Sequence, residues 1–280
     1  MQLPIKHLVL VLLIIPVSFS ANCQEKKANE KNRFFFCWGW NRSSYTASDI
    51  HFKGSNYDFT LHNVAAKDRQ SPIGIDPYFH LLKITIPQVN YVLGYYLKNN
   101  FSISFGVDHM KYVVVEGQTS SISGEISANS YSGSYQDQPI VLSPQFLEFE
   151  HTDGLNYVYF ELSRHSQLSK AKKWGTISFT KGVSIGGLYP RSDITLMGQE
   201  NYDKFNVTGY GGALKMGTRF ELWNRIFITN EVKWGYLHMP KIPTSNNKGE
   251  YASQHFGFFQ TNVILGFFLD FKKKGQANTN

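Results

Sequence analysis

Apolar and polar positions alternate with a period of two along much of this chain. The longest such run is 255–271, where Gly257, Phe259, Thr261, Val263, Leu265, Phe267, Leu269 and Phe271 share one face. Phe256, Phe258, Gln260, Asn262, Ile264, Gly266, Phe268 and Asp270 share the other. One face is almost wholly apolar and the other is mixed. A strand needs that pattern when one side meets lipid and the other meets a packed lumen. The same alternation predicts strands over 33–45, 88–97, 101–115, 155–164, 174–188, 205–222 and 226–237. In the first of these, Phe34, Phe36, Trp38 and Trp40 oppose Phe35, Cys37, Gly39 and Asn41.

The connections between these strands are of two kinds. Those at 98–100, 167–173 and 223–225 are short, and those around 46–87, 116–154, 189–204 and 238–255 are long. Small outer-membrane barrels have short periplasmic turns and long extracellular loops. Strict alternation of the two predicts an all-β fold: a transmembrane antiparallel up-and-down β-barrel of eight strands, with both termini in the periplasm. A strand-like piece at 57–64 breaks the alternation if counted as spanning. It is therefore placed in the first outer loop as part of a hairpin, with a ten-stranded barrel as the alternative. Aromatics fit the scheme. Phe34, Phe101, Trp174, Trp223 and Phe271 fall at the expected periplasmic ends, and Trp40, Tyr112, Trp234 and Tyr236 toward the outer ends. Such girdles form because amphipathic rings prefer the headgroup level.

An eight-stranded barrel is just wide enough to be filled by its own side chains. The inward registers supply Asp108, Glu161, Lys215, Arg219, Glu221, Glu231 and Lys233. Acids and bases on neighbouring strands predict an ion-pair network, since an unpaired buried charge is costly. The expected contacts of Arg219 are Glu231 or Glu221.

Composition narrows the choice of membrane element. Aromatics make up 15% of the 280 residues, yet no apolar run beyond residue 20 reaches helical membrane length,. The formal charge of +7 is modest and spread along the chain, which gives no reason to expect nucleic acid,. Residues 1–23 read as a secretory signal peptide, with Lys6 before an apolar core,. Cleavage after Cys23 leaves Cys37 as the remaining cysteine; lipidation of Cys23 is the alternative. Residues 24–32 read as a flexible lead-in and 272–280 as a polar tail.

The chain's end resembles the C-terminal signal that the barrel-assembly machinery reads, carried here by Gly266, Leu269 and Phe271. In strand number and loop asymmetry, 33–271 resembles the OmpA transmembrane domain and the OmpX-like class. Three stretches resemble barrel proteins common in Bacteroidetes: 57–61, 108–112 and 252–256. These resemblances imply a fold and a place, with no activity attached.

Chemistry is sparse at this level. Outer-membrane lipid A deacylases carry His and Ser two residues apart, whereas His165 and Ser166 are adjacent and point to opposite faces of a strand,. The lipid A palmitoyltransferase uses an outer-loop His with acid and Ser partners. His51, His62, His80 and His151 share the long connections with Asp49, Asp58, Asp68 and Asp153, but no spacing ties them into a site. Asp108 and His109 are the candidates for a binding role, and no catalytic residue stands out. No metal spacing, phosphate loop or cofactor motif occurs. The expected function is that of a non-enzymatic outer-membrane barrel with a plugged polar lumen, whose surface loops serve a structural or adhesive, partner-binding role. The alternatives are a lipid A-modifying enzyme with its site at the outer rim and a narrow gated pore. The expected partners are outer-membrane lipid and lipopolysaccharide, the barrel-assembly machinery and an extracellular partner.

Overall fold

A computed structural model of the chain describes residues 33–72, 74–78, 87–127, 129–169, 175–199 and 202–269. The expected signal peptide, lead-in and polar tail, with His80, Trp174 and Phe271, lie outside these residues. The strands, in chain order, are β1 (Phe34–Tyr45), β2 (Ser48–Lys53), β3 (Tyr57–Val64), β4 (Ala66–Lys67), β5 (Val89–Tyr96), β6 (Phe101–Val114), β7 (Thr119–Ile126), β8 (Gly133–Val141), β9 (Leu147–Gln167), β10 (Gly175–Leu188), β11 (Arg191–Leu196), β12 (Tyr202–Phe205), β13 (Gly209–Leu222), β14 (Ile226–Pro243) and β15 (Tyr251–Leu269).

Eight of them close a ring in the order β1, β5, β6, β9, β10, β13, β14, β15, every neighbour antiparallel. The ring shuts where β15 returns to β1, from Phe34 opposite Leu269 to Tyr45 opposite Phe258. Closure removes the unpaired edge that an open sheet would expose. The eight strands overlap the eight stretches that alternation predicts, and both described termini of the ring lie at the end with the short turns. Two of those turns place non-glycine residues at positive φ: Asn99 and Asn100 in one, Trp223 and Asn224 in the other.

One long connection differs from expectation and another meets it. Gly- and Ser-rich composition at 116–154 points to irregular chain, but β7 and β8 pair there as a hairpin. The strand-like piece at 57–64 is β3, hairpinned to β2 outside the ring. Beyond the ring, β15 continues into β2, β3, β7 and β8, while β9 carries β11 and β12, and β6 carries β4. These extensions form a head above the ring.

Within single strands the polarity of the two faces inverts between head and ring. On β9 the buried face runs Leu147, Phe149, His151, Leu155, Tyr157, Tyr159 and then Glu161, Ser163 and His165. Its opposite face carries Glu148, Glu150 and Thr152 in the head, then Val158, Phe160 and Leu162 in the ring. Phe160 is 63% exposed although Phe149, on the same strand, is 2% exposed. β14 and β15 invert likewise: outward Ile228, Trp234 and Tyr236 give way to His238 and Lys241, and outward Val263 and Phe259 give way to His255 and Ser253. Head and ring therefore follow opposite solvent rules. Interruptions of the apolar belt include Asn230 and the register partners Lys181 and Arg164.

The interior is layered. Ile50, Phe52, Phe59, Leu61, Tyr112, Phe146, Phe149 and Phe256 belong to the apolar core of the head. Phe35, Cys37, Val92, Tyr96, Phe227, Ile264 and Phe268 form a second apolar cluster at the short-turn end of the ring. Charged and amide side chains lie between the two. Tyr112 corrects an expectation. It is fully buried, stacked on Phe256 at 4.7 Å between ring centroids, and is not part of an outer aromatic girdle. The cause is parity: Asp108 faces inward, so Met110 and Tyr112 on the same strand face inward too. Glycine makes the room these large rings need. A Cβ on Gly106 would stand 2.4 Å from the Tyr159 ring, and one on Gly266 would stand 2.1 Å from that of Phe227.

Candidate functional site

The lumen layer is built from β6, β9, β13 and β14. The β13–β14 register sets Lys215 directly opposite Lys233, two like charges on facing strands. They part to different partners. Lys233 Nζ reaches Asp108 Oδ2 at 2.5 Å, with both residues at most 1% exposed. Lys215 Nζ lies 2.6 Å from Glu161 Oε1 and 3.3 Å from Glu231 Oε2. Neutral donors complete the shell: Asn90 Nδ2 and Tyr159 Oη donate to Asp108 Oδ1, and Asn262 Nδ2 donates to Glu231 Oε1. Lys233 also stands 4.2 Å above the Tyr159 ring, a cation–π contact within the apolar wall,.

Lys215 is a cation on Glu231, a pair not named from the sequence. Arg219 lies nearer the second apolar cluster, with its guanidinium 4.0 Å over the Phe227 ring. Glu221 shares its inward face and is buried. Asp108 and His109 do not share a site. Asp108 faces the lumen, whereas His109 faces outward and hydrogen-bonds Asn156 Oδ1 through Nδ1 at 2.9 Å. His165 and Ser166 point to opposite faces, and His165 is held inside between Ser102 Oγ and Thr180 Oγ1. Gly266 and Leu269 lie on opposite faces of β15, the first inward and the second outward.

The head brings together groups that spacing could not. On its outer face His62 Nδ1 is 3.2 Å from Asp49 Oδ2, and His62 Nε2 is 3.1 Å from Ser123 Oγ. Two β-bulges set this up. In the β2–β3 pair the register slips between Ser48 and Ile50, so Asp49 faces both His62 and Asn63. Asn63 takes φ 55° and its N–H donates to Asp49 Oδ1 at 2.8 Å. In the β7–β8 pair the register slips between Ile122 and Gly124. There Asp137 takes φ 55° and its N–H donates to Ser123 Oγ at 3.1 Å. The Asn63 N–H, opposed by partial burial and helped by His62, holds the Asp49 carboxyl below its ordinary value. A second pair stands beside it: His51 Nε2 lies 2.7 Å and Lys53 Nζ 3.3 Å from Asp58, whose carboxyl is likewise depressed, chiefly by His51. Ser123 escapes sequence reading because its partners lie in another connection and its own segment is rich in serine.

Among the described residues no cluster of three or more His, Cys, Asp and Glu is arranged to hold a metal ion.

No family model matches the chain, and no curated protein does. Among solved structures it is similar to the outer membrane protein AlkL, at 11% identity and a TM-score of 0.41, covering 92% of this chain and 100% of that one. It is similar to Neisserial surface protein A at 10% identity and 0.33, over 84% and 96%. A third is the outer membrane protein OprG from Pseudomonas aeruginosa, at 8% identity and 0.35, over 86% and 97%. The likeness is weak in sequence and in superposition, and no function follows from it.

Proposed function

We propose that the ring is a sealed transmembrane barrel in a bacterial outer membrane and that the head is the working part, held on the outer side where it meets a partner. One observation carries this: on β9, β14 and β15 the outward face is polar in the head and apolar in the ring, while the inward face does the reverse. A single strand changes its solvent rule in this way when it passes from water into hydrocarbon. The outward apolar stretch of β14, from Ile226 to Tyr236, suits a tilted spanning strand of roughly 9–11 residues,.

The layered interior favours a plug over a pore. Ion pairs in the middle are closed off by the head core above and by the Phe35–Phe227–Phe268 cluster below. A conducting path would have to cross both apolar layers. The chain reconstituted in planar bilayers should give no single-channel steps. Reproducible, ion-selective steps abolished by a bulky substitution in the lumen would overturn the sealed-barrel reading.

A further inference from the structure

We infer that Asp49, His62 and Ser123 form an acid–base–nucleophile relay on the outer face of the head, and that Ser123 Oγ accepts an acyl group from a carboxylic ester. Imidazole stands between a carboxylate and a hydroxyl, one ring nitrogen to each, at 3.2 and 3.1 Å. This is the geometry in which a histidine takes a hydroxyl proton while an acid fixes its tautomer. The three residues come from three strands, β2, β3 and β7. Each of the two bulges places a non-glycine residue, Asn63 or Asp137, at φ 55°. One hands the Asn63 N–H to Asp49, which orients the acid. The other hands the Asp137 N–H to Ser123 Oγ, which puts a backbone donor beside the reacting oxygen. Bulges concentrate where a side chain must be re-aimed, and Asn and Asp are the non-glycine residues that reach the left-handed region most readily.

The step balances without a further reagent. Ser123 Oγ bonds to the ester carbonyl carbon as its proton passes to His62 Nε2. The carbon–oxygen bond to the alcohol breaks, and the alcohol leaves with that proton. Water then attacks the acyl-serine, giving one proton to Nε2 that returns to Oγ as the acid departs. The net change is ester plus water to acid plus alcohol.

Position suggests which ester. The register that pairs Gln254 with Ile50 sets His255 beside Asp49. His255 belongs to an outward group with Tyr236, His238 and Tyr210, where the apolar belt ends. On the membrane reading proposed above, that level is where the ester groups of lipids lie. The substrate class is therefore an ester-bearing amphiphile. This last clause rests on the membrane reading; the assignment of the nucleophile does not.

The test uses the full mature chain refolded into phospholipid vesicles, with insertion verified by a gel mobility that changes on boiling. A fluorophosphonate, which modifies activated hydroxyls, should give an adduct at Ser123 by peptide mass spectrometry. The adduct should be lost in Ser123→Ala and form about a hundredfold or more slowly in His62→Ala. No adduct at Ser123 in inserted protein, or equal labelling in His62→Ala, overturns the relay while leaving the barrel untouched. The labelling is repeated on the chain folded in detergent, so failure to insert counts against the membrane reading while the Ser123 adduct still decides the relay. Faster turnover of long-chain than of short-chain 4-nitrophenyl esters supports the amphiphile, and the reverse order removes it.

Discussion

At the scale of single residues, the lumen is a set of fixed charge partnerships, and their worth lies in what happens when one member is removed. Asp108 has no exposed surface, and Lys233 is its cation. Lys233→Ala should strand a buried carboxylate and cost roughly 3–5 kcal/mol in urea unfolding. Removing Asp108 as well should cost less than that single change, since no uncompensated charge is left. Additive losses would mean that the two side chains do not act as a pair. The same cycle run on Lys215 and Glu231 should be strongly coupled, and Thr218→Ala on the outward face should be nearly silent. Parity alone made these inward residues legible: a period of two assigns every other residue on β6, β13 and β14 to the lumen. It did not choose partners. Lys215 and Lys233 face each other in register, and only the third dimension sends one to Glu161 and Glu231 and the other to Asp108.

At the scale of elements, the ring strands announced themselves and, apart from the hairpin strand at 57–64, the head did not. A ring strand with an apolar outward face and a mixed inward face alternates along its length, so 255–269 was readable from one end to the other. β8 is an edge strand, exposed at almost every position and carrying Pro139, so it offers no alternation to read,. The Asp49–His62–Ser123 contact is hidden for a different reason. It depends on two bulges, and a bulge shifts the very register that pattern reading assumes. The head also contains an acid-sensitive element. His151, on the head portion of β9, is fully buried against Tyr112 and Phe149, and neither ring nitrogen finds a hydrogen-bond partner among the described residues. Burial pulls its pKa down to about 3. The unfolded chain binds that proton near the ordinary histidine value, about 6.5. Stability from the neutral ring is thus intact above about 6.5 and is lost as pH falls from there toward 3, by up to about 1.4 kcal/mol per unit,. Limited proteolysis of the head should accelerate across that window. His151→Leu should flatten the response, and an unchanged pH profile in that variant would assign the sensitivity elsewhere.

At the scale of the whole molecule, one chain obeys two solvent rules, and three strands, β9, β14 and β15, pass from one to the other. On the proposed membrane placement, the short turns face the periplasm and the head faces out. A cysteine placed at Asn247, in the loop between β14 and β15, should react with an impermeant maleimide on intact cells. One placed at Asn99, in a short turn, should not; reaction at Asn99 alone would invert the topology. The most direct measurement follows the boundary along β9. Nitroxide labels placed singly at Glu148, Glu150, Asn156, Val158, Phe160 and Leu162 all project from the outward face. In vesicles, collision with dissolved oxygen should dominate from Val158 to Leu162, and collision with a polar nickel chelate from Glu148 to Asn156. The change should fall between Asn156 and Val158. Uniform access of the polar reagent along all six positions would show that the ring does not sit in the bilayer.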